Sequence, residues 1–434
     1  MEKNIDTKEW GTFKDSLKAP IFGWFTYPAG FSYKAVEYSI KKEGLIQGNV
    51  VYDPFMGSGT TNLAAKKLGI DSIGVEAHPF VFPIAKCKLN TDIHLPDIIN
   101  KLDWIRNRVI SAKESSQLID INATIEKEFP ELVRKCFLPN TLYELMIIRD
   151  AIREIENDDL KLFLNTGLIC TLRSVSIAAT GWPYIAPKKI KITSLSKKGL
   201  DTYITFIKKM MDDVSYFNLI TAGIYSSHNL YLGDSRNTSA YISDESVDFI
   251  FTSPPYLNNF DYADRTRLEM YFMGEAHNWN EICRKVRTQL ITSTTTQINR
   301  NDSKYSFLTS FISDNPHEFS FLKDAVTELS DKRKIKGGKK SYDLLVTGYF
   351  NDMYNTLKDN FRVLRPGCRA MYILGDSAPY GVHIPTDELI GKIGCNIGFN
   401  SFSIELLRNR GDKWKNNPQR HGIQLRETIV TLSK

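Results

Sequence analysis

Apolar and polar positions near the start of the chain predict a strand, a helix and a second strand. The apolar run at residues 49–52 is typical of a strand and stops at Asp53. Residues 60–69 have the pattern of a helix that ends at a glycine, and the run at 72–75 predicts a strand that stops at Glu76. A strand, a helix and a strand in this order make one unit of a parallel sheet. We therefore expect an α/β protein with a doubly wound, mostly parallel sheet.

The pattern becomes helical between about residues 97 and 217. Thr141 and Glu144 match a capping box, and apolar positions with helical spacing follow them. Further helices are predicted at 158–178 and 202–217, with a lysine-rich loop between them that contains Trp182. We interpret residues 96–227 as a helical insertion that separates an N-terminal part, 1–95, from the rest of the sheet domain.

The remaining elements complete the predicted sheet. Residues 342–361 are helical in pattern, and the segment 273–341, which is rich in threonine and serine and then in lysine, is expected to form loops. The sheet domain is therefore predicted to continue over 228–272 and 342–434. Strands are predicted at 229–232, 247–251, 369–374, 401–407 and 427–432.

Composition narrows the class of protein. The chain has 434 residues, of which 42 % are hydrophobic and 24 % are charged, as in ordinary globular proteins. No apolar stretch approaches the roughly 18 residues that a membrane span needs. A net charge of +6 permits a polyanionic partner without requiring one. The first residues lack the basic end and apolar run of a secretory signal, so we expect a cytoplasmic protein without a membrane partner.

The cysteines do not indicate a metal site. No two of the six stand in a Cys-x-x-Cys pair, and we expect reduced cysteines and no bound metal.

A glycine-rich segment, Asp53 to Thr61, lies between the first strand and the first helix. Two glycines allow a tight turn, and the start of the helix offers unpaired N–H groups to a polar ligand. Thr60 replaces the lysine that a phosphate-binding P-loop requires, and Asn62 replaces the third glycine of a dinucleotide fingerprint. Both common nucleotide-binding interpretations are therefore disfavoured.

Two carboxylates flank this loop and suggest another ligand. Asp53 would repel a pyrophosphate but attract an ammonium group. Glu76, at the end of the next strand, stands where an acid accepts hydrogen bonds from ribose hydroxyls. An ammonium group together with a ribose describes S-adenosylmethionine.

A second motif, Ser253-Pro254-Pro255-Tyr256, follows the predicted strand at 247–251. Adjacent prolines stiffen the turn and remove two N–H donors, which leaves carbonyl groups as acceptors. The Ser253 side chain and the Pro254 carbonyl could accept the two protons of an exocyclic amine, while Tyr256 stacks on the base. Such contacts favour direct methylation of the amine, and the chain has no Pro-Cys pair for attack on a ring carbon.

The two motifs together resemble those of the DNA amino-methyltransferases, which methylate the exocyclic nitrogen of cytosine or adenine. The resemblance implies a Rossmann-like methyltransferase sheet and S-adenosylmethionine as the cofactor. In that family a serine at the position of Ser253 goes mostly with N4-cytosine and an aspartate mostly with N6-adenine. The implied catalytic residues are Ser253, Pro254, Pro255 and Tyr256.

The resemblance also implies a set of cofactor-binding residues. Glu76 would bind the ribose, Asp234 the adenine amino group, and Phe31, in the segment Tyr27-Pro28-Ala29-Gly30-Phe31, would close over the cofactor. The implied cofactor-binding residues are Phe31, Asp53, Pro54, Phe55, Gly57, Gly59, Thr60, Glu76 and Asp234.

We therefore hypothesise an N4-cytosine DNA methyltransferase that acts on double-stranded DNA, either alone or with a restriction endonuclease. N6-adenine methylation, methylation of RNA bases and catalytically silent DNA binding remain open at this point. Residues 273–341 are the segment expected to read the target. Three basic segments are candidates for phosphate contact: 188–198, 332–340 and 408–420.

Overall fold

The computed structural model describes residues 7–27, 30–115, 120–180, 184–335, 337–338, 340–410 and 422–434. The described residues form a mixed, mostly parallel seven-stranded sheet and a separate two-stranded sheet. The strands are β1 (Val50–Asp53), β2 (Asp71–Glu76), β3 (Ala178–Thr180), β4 (Ile185–Ile190), β5 (His228–Leu232), β6 (Val247–Thr252), β7 (Leu364–Gly375), β8 (Ser401–Arg410) and β9 (Leu425–Ser433).

Helices connect the strands and cover the sheet. The helices before β3 are α1 (Lys14–Lys18), α2 (Tyr33–Lys42), α3 (Thr60–Leu68), α4 (Phe82–Leu89), α5 (Leu95–Ser115), α6 (Ile121–Glu128), α7 (Glu131–Cys136), α8 (Pro139–Arg153) and α9 (Asp158–Val175). The helices after β4 are α10 (Gly199–Ile220), α11 (Tyr262–Arg265), α12 (Arg267–Met273), α13 (Trp279–Ile282), α14 (Thr309–Asp314), α15 (Pro316–Ile335), α16 (Tyr342–Val363) and α17 (Thr386–Ile397).

The large sheet has the strand order β5-β2-β1-β6-β7-β9-β8. Strands β5, β2, β1, β6 and β7 are parallel to one another, and β9 runs antiparallel between β7 and β8. The strand order reverses at β1, which pairs with β2 on one side and with β6 on the other. In such sheets, ligands bind beyond the carboxyl ends of the strands next to the reversal. The topology agrees with the predicted doubly wound fold.

The alternation of side chains along the strands builds two cores, one on each face of the sheet. Val51 and Phe251 belong to the core that includes α2, α3 and the helices from α4 to α10. Tyr52, Ile250 and Tyr372 belong to the other core, which is closed by α15, α16 and α17. Strands β1, β2 and β6 are therefore largely buried on both faces, which is why they read as short apolar runs in the sequence, whereas the edge strand β5 is partly exposed.

The helical segment predicted between residues 97 and 217 is present, although two of its details differ. Helix α8 begins at Pro139 rather than at the expected capping box. Glu144 instead accepts hydrogen bonds from the Lys113 side chain at 2.6 Å and from the Leu200 backbone at 3.1 Å. The lysine-rich connection is also not a simple loop, because β3 and β4 form an antiparallel hairpin within it.

The expectation of loops throughout residues 273–341 was wrong. Helix α15 occupies most of the second half of this segment, and its buried Leu322, Ala325 and Leu329 lie one turn or two apart on the face that packs against α16. Charged residues lie between the buried apolar residues of this helix, and the exposed Phe321 lies beside them. The helical spacing of apolar residues is therefore weak in the sequence. Packing against the sheet domain stabilises the helix.

Candidate functional site

A cleft opens at the carboxyl edge of the parallel strands. Residues that follow β1, β2, β5 and β6 line it, and the N-terminal segment forms another of its walls. Of the site residues predicted from the sequence, those that line the cleft are Phe31, Pro54, Phe55, Gly57, Thr60, Glu76, Asp234, Ser253 and Pro255. The structure thus brings the glycine loop and the Ser-Pro-Pro-Tyr turn to one cavity, although they are far apart in the sequence.

The glycine loop has the backbone conformation that its sequence requires. Gly57 and Gly59 have φ values of +54° and +84°, in the left-handed region that favours glycine. The backbone N–H of Gly59 donates to the Met56 carbonyl at 2.9 Å, and α3 begins immediately afterwards at Thr60. The tight turn therefore points the start of the helix toward the cleft, as the sequence predicted.

Glu76 shapes the loop and also faces the cleft. One of its carboxylate oxygens accepts a hydrogen bond from the Gly57 N–H at 2.7 Å, and the other accepts one from the His78 N–H at 2.8 Å. Burial raises the pKa of Glu76 to about 7 despite these two bonds, which favour the charged form. The side chain is held in one orientation and its carboxylate can still accept further hydrogen bonds.

Asp53 lies behind the cleft wall and is fully buried. Its Oδ1 accepts a hydrogen bond from the Thr252 hydroxyl at 2.6 Å and another from the Phe55 N–H at 3.0 Å. Its Oδ2 has no hydrogen-bond partner among the described residues. Burial raises the pKa of Asp53 to about 6, while the hydrogen bond from Thr252 opposes the shift. The neighbouring Pro54 and Phe55, rather than Asp53 itself, form the cleft surface.

Asp234 follows β5 and lines the far part of the cleft. Its carboxylate pairs with the guanidinium of Arg236 at 2.7 Å, and Arg236 also pairs with Asp352 on α16 at 2.7 Å. The Asp234 side chain is 45 % exposed, so the ion pair leaves part of the carboxylate open. The ion pair between Arg236 and Asp352 was not predicted, because these two residues are far apart in the sequence.

The N-terminal segment packs over the glycine loop. The Phe31 ring lies 5.5 Å from the Phe251 ring, and Phe31 is 6 % exposed. Tyr27 also lines the cleft, and its ring would touch a Cβ atom placed on Gly57 at 3.4 Å. Residues 28 and 29 of the predicted cofactor-closing segment lie outside the described residues.

The Ser-Pro-Pro-Tyr turn leaves β6 directly beside the cleft. The Ser253 hydroxyl donates a hydrogen bond to the Ile373 carbonyl of β7 at 3.2 Å. A hydroxyl has a single proton, so the lone pairs of this oxygen remain available as acceptors. Ser253 and Pro255 are partly exposed on the cleft, whereas Pro254 is buried. The Ser253 oxygen thus keeps lone pairs that can accept a hydrogen bond at the edge of the cleft.

Tyr256 has a different environment from the one expected. Its side chain is 4 % exposed, and its hydroxyl donates a hydrogen bond to Glu427 at 3.0 Å. The Arg410 guanidinium lies 5.2 Å from the centre of the ring. The ring therefore offers little free surface in this state, and a base could stack on it only after a neighbouring group moves.

Other residues of the cleft were missed by the sequence analysis. Gln289, Leu290 and Ile291 come from the 273–341 segment and border the cleft. Asp261 holds this segment in place, because its carboxylate accepts hydrogen bonds from Thr296 at 2.7 Å and from Arg287. No local pattern marks these residues, since their positions depend on long-range contacts.

The predicted basic segments are only partly free to contact a polyanion. Lys191 and Lys197 donate to the Arg173 and Ser174 carbonyls at the end of α9, where a positive charge stabilises the helix terminus. Lys332 and Lys334 pair with acidic residues of α15. In the third segment, Arg408 and Arg410 turn toward the site, and residues 411–420 lie outside the described residues.

The part of the chain that the structure describes contains neither a metal-binding cluster nor a membrane-spanning helix. No group of three or more histidine, cysteine, aspartate or glutamate side chains there is arranged to hold a metal ion. No helix there is both long and apolar enough to cross a membrane.

Comparisons with known proteins agree with the geometry of the site. Residues 4–87 match a family model described as DNA methylase, of the N6/N4 type. The type II methyltransferase M.BsoBI of Geobacillus stearothermophilus is 24 % identical over 98 % of this chain and 87 % of its own length. M.AvaI of Nostoc sp. is 23 % identical over 96 % of this chain and 86 % of its own length. M.MvaI of Kocuria varians, also named a type II methyltransferase, is 23 % identical over 99 % of this chain and 94 % of its own length.

The family model covers the N-terminal segment, β1, the glycine loop and β2, and the relatives extend the similarity over almost the whole chain. The seven-stranded sheet and the cleft at its carboxyl edge are consistent with these matches. The chain is thus similar to the N6/N4 DNA methylase family over residues 4–87, and to type II methyltransferases over almost its whole length.

Proposed function

We propose that this protein is a type II DNA methyltransferase that transfers a methyl group from S-adenosylmethionine to the N4 amine of a cytosine turned out of duplex DNA. The single observation that carries the proposal is the hydrogen bond from Ser253 to the Ile373 carbonyl, which leaves the serine oxygen as an acceptor beside the glycine loop. The names of the relatives, all type II methyltransferases, support the class of enzyme.

The residues around the glycine loop fit the cofactor. Asp53 lies directly behind the cleft wall, and its buried Oδ2 has no hydrogen-bond partner among the described residues, so its negative charge would attract an ammonium group in the cleft. Glu76 faces the cleft with a carboxylate that suits ribose hydroxyls, and Asp234 keeps part of its carboxylate open for the adenine amino group. Phe31, Pro54, Phe55, Gly57, Gly59 and Thr60 would shape the remainder of the site.

S-adenosylmethionine supplies an electrophilic methyl group when it is bound. The chain's own contribution is to orient the target amine. The Ser253 oxygen and the Pro254 carbonyl would accept its two protons, which favours a pyramidal nitrogen and frees its lone pair for attack. Pro255 would hold the plane of the base together with Tyr256 once the Arg410 guanidinium has moved away from the tyrosine ring, and stacking on an aromatic ring stabilises a flipped base by roughly 1–3 kcal/mol.

The cleft does not suit the alternative chemistry of ring-carbon methylation, which needs a cysteine nucleophile. None of the described residues that line the cleft is a cysteine. Burial raises the pKa of Cys87 and of Cys136 to about 12, so neither thiol is activated. Methylation of an exocyclic amine needs no covalent bond to the enzyme.

The target-reading role remains assigned to residues 273–341. Gln289, Leu290 and Ile291 of this segment border the cleft, so the segment can reach the neighbours of a displaced base. The surrounding duplex is the proposed partner, and a restriction endonuclease of the same specificity is a proposed second protein of the system. The serine at position 253 favours cytosine over adenine within the family.

Duplex DNA from a host without methylation, incubated with the purified protein and S-adenosylmethionine, tests the proposal. Enzymatic digestion and mass spectrometry should reveal N4-methyldeoxycytidine, and the Ser253→Ala variant serves as the matched control. Detection of N6-methyldeoxyadenosine without N4-methyldeoxycytidine would identify adenine as the target instead of cytosine. Labelling of RNA but not of duplex DNA, or binding of DNA without any methyl transfer, would contradict the proposal.

A further inference from the structure

A buried acid lies directly behind the Ser-Pro-Pro-Tyr turn. Glu427, on β9, is 2 % exposed. Its Oε1 accepts the hydrogen bond from the Tyr256 hydroxyl at 3.0 Å, and its Oε2 accepts one from Arg408 Nε at 2.5 Å. Neither motif that suggested the function includes Glu427 or Arg408.

The strand pairing places these groups together. Glu427 is opposite Gly375 of β7 and opposite Arg408 of β8. The antiparallel strand β9 therefore presents Glu427 beside the carboxyl end of β7, next to the turn that follows β6. The position of the acid is a property of the sheet and not of a flexible loop.

Close packing limits the movement of this group and of the tyrosine ring. A Cβ atom added to Gly11 would lie 1.9 Å from Glu427 Oε2. A Cβ atom added to Gly375 would lie 2.9 Å from Tyr256 Cδ2 and 2.1 Å from Arg410 Nη1. A side chain at either glycine would have to displace the acid, the ring or the guanidinium.

The charges around Glu427 are balanced. A buried carboxylate is strongly disfavoured unless a cation and hydrogen bonds compensate it. Arg408 supplies that compensation, and it is itself half-buried. The Tyr256 hydroxyl can thus donate to a charged acceptor, and hydrogen bonds to charged groups are stronger and shorter than neutral ones.

The hydroxyl of Tyr256 has no role in stacking, since an aromatic face is sufficient for contact with a base. We infer that Glu427 is a positioning residue, which fixes the plane of the Tyr256 ring through the tyrosine hydroxyl and is itself held by its ion pair with Arg408. The inference rests on the proposed function, because it assigns the contact a role in holding the target base. A ring held by Glu427 on one side keeps a single orientation when the base enters.

A double-mutant cycle tests this coupling in the full-length protein. The variants are Tyr256→Phe, Glu427→Gln and the combination of both, and Glu405→Gln on β8 is the control because its side chain is exposed. We expect each single variant to lower kcat on duplex DNA by about tenfold, with the KM for DNA and the affinity for S-adenosylmethionine within about twofold. The double variant should match the single variants, and Glu405→Gln should match the wild type.

If the loss of kcat in the double variant equals the product of the two single losses, the inference is overturned, because the acid then acts independently of the hydroxyl. A Glu427→Gln variant that only melts earlier, with unchanged kcat, would overturn it as well. If Glu427→Gln does not fold, Tyr256→Phe decides: full kcat in that variant overturns the inference, and a loss in kcat with unchanged KM supports it. Activity of the wild type in the same assay tests the proposed function separately.

Discussion

The Thr252 hydroxyl donates a 2.6 Å hydrogen bond to the carboxylate of Asp53. The two residues end neighbouring parallel strands, β6 and β1, and each begins one of the two motifs. This bond links the cofactor loop to the Ser-Pro-Pro-Tyr turn through buried groups. The two motifs are therefore held next to each other by a buried hydrogen bond.

Loss of this bond should destabilise the protein in a pH-dependent way. Thr252→Val leaves the buried Asp53 with one donor fewer, at a cost of about 1–3 kcal/mol when the carboxylate is charged. The folded pKa of Asp53 is raised to about 6, so the group is mostly protonated at pH 5 and charged at pH 8. The loss in unfolding free energy, measured with urea, should be larger at pH 8 than at pH 5.

Thr431→Val on β9 is a suitable control, because no hydrogen bond of the Thr431 hydroxyl is found among the described residues. An equal loss for Thr252→Val at both pH values would contradict the link to ionised Asp53.

The proposed ammonium contact makes Asp53 selective for ligands with an amino group. Asp53→Asn removes the charge at pH 8 while keeping the size, and we expect about a tenfold or greater loss of affinity for S-adenosylmethionine. Affinity for 5′-methylthioadenosine, which has the ribose and the adenine but no amino group, should stay unchanged. Calorimetry measures both ligands, and an equal loss for both would show that the substitution disturbs the cleft instead.

Nucleoside binding should weaken as the pH falls. Burial raises the pKa of Glu76 to about 7, and the charged form is the stronger acceptor for ribose hydroxyls. Below this pKa the charged fraction falls, so Kd for 5′-methylthioadenosine should rise by about fourfold between pH 8 and pH 6.5. Titrations between pH 8 and pH 6.5 should show the slope, and Glu76→Gln should remove it. A pH-independent Kd in the wild type would argue against Glu76 as the ribose acceptor.

Removal of the Ser253 acceptor should affect the chemical step more than binding. Ser253→Ala removes the Ser253 donor to the Ile373 carbonyl and one of the two proposed acceptors of the target amine. We expect kcat to fall by about tenfold to a hundredfold while the KM for DNA changes little. Steady-state kinetics with tritiated cofactor separate the two parameters. A rise in KM with unchanged kcat would show that Ser253 contributes to DNA binding and does not orient the amine.

Helix α15 offers a test of the packing within residues 273–341, the proposed target-reading segment. Leu329 is fully buried against α16, and its replacement by alanine should cost about 2–5 kcal/mol of unfolding free energy. Phe321 on the same helix is 43 % exposed, so Phe321→Ala should cost less than about 1 kcal/mol. Similar small effects of both substitutions would mean that α15 contributes little to the core.

Much of the fold was accessible from local patterns. The strands of the parallel part are short apolar runs that stop at Asp53, Glu76 or Thr252, because both faces of the sheet are buried and the polar residues begin where the sheet ends. Helix α3 could be bounded on both sides, since Gly59 and Gly69 both take left-handed conformations at its ends. The ends of helix α15 could not be predicted in this way, because charged and exposed residues separate its buried residues and weaken the helical pattern.

The sequence by itself determined the doubly wound sheet, the glycine loop and the Ser-Pro-Pro-Tyr turn, since hydrophobic period, φ preference and proline stiffness act within a few residues. The tertiary structure decided which oxygen of Asp53 is left without a partner, the pairing of Arg236 with Asp352, and the burial of Tyr256 against Glu427 and Arg410. These contacts join residues that are far apart in the chain. Hydrogen bonds, ion pairs and burial depend on distances that only the folded protein establishes.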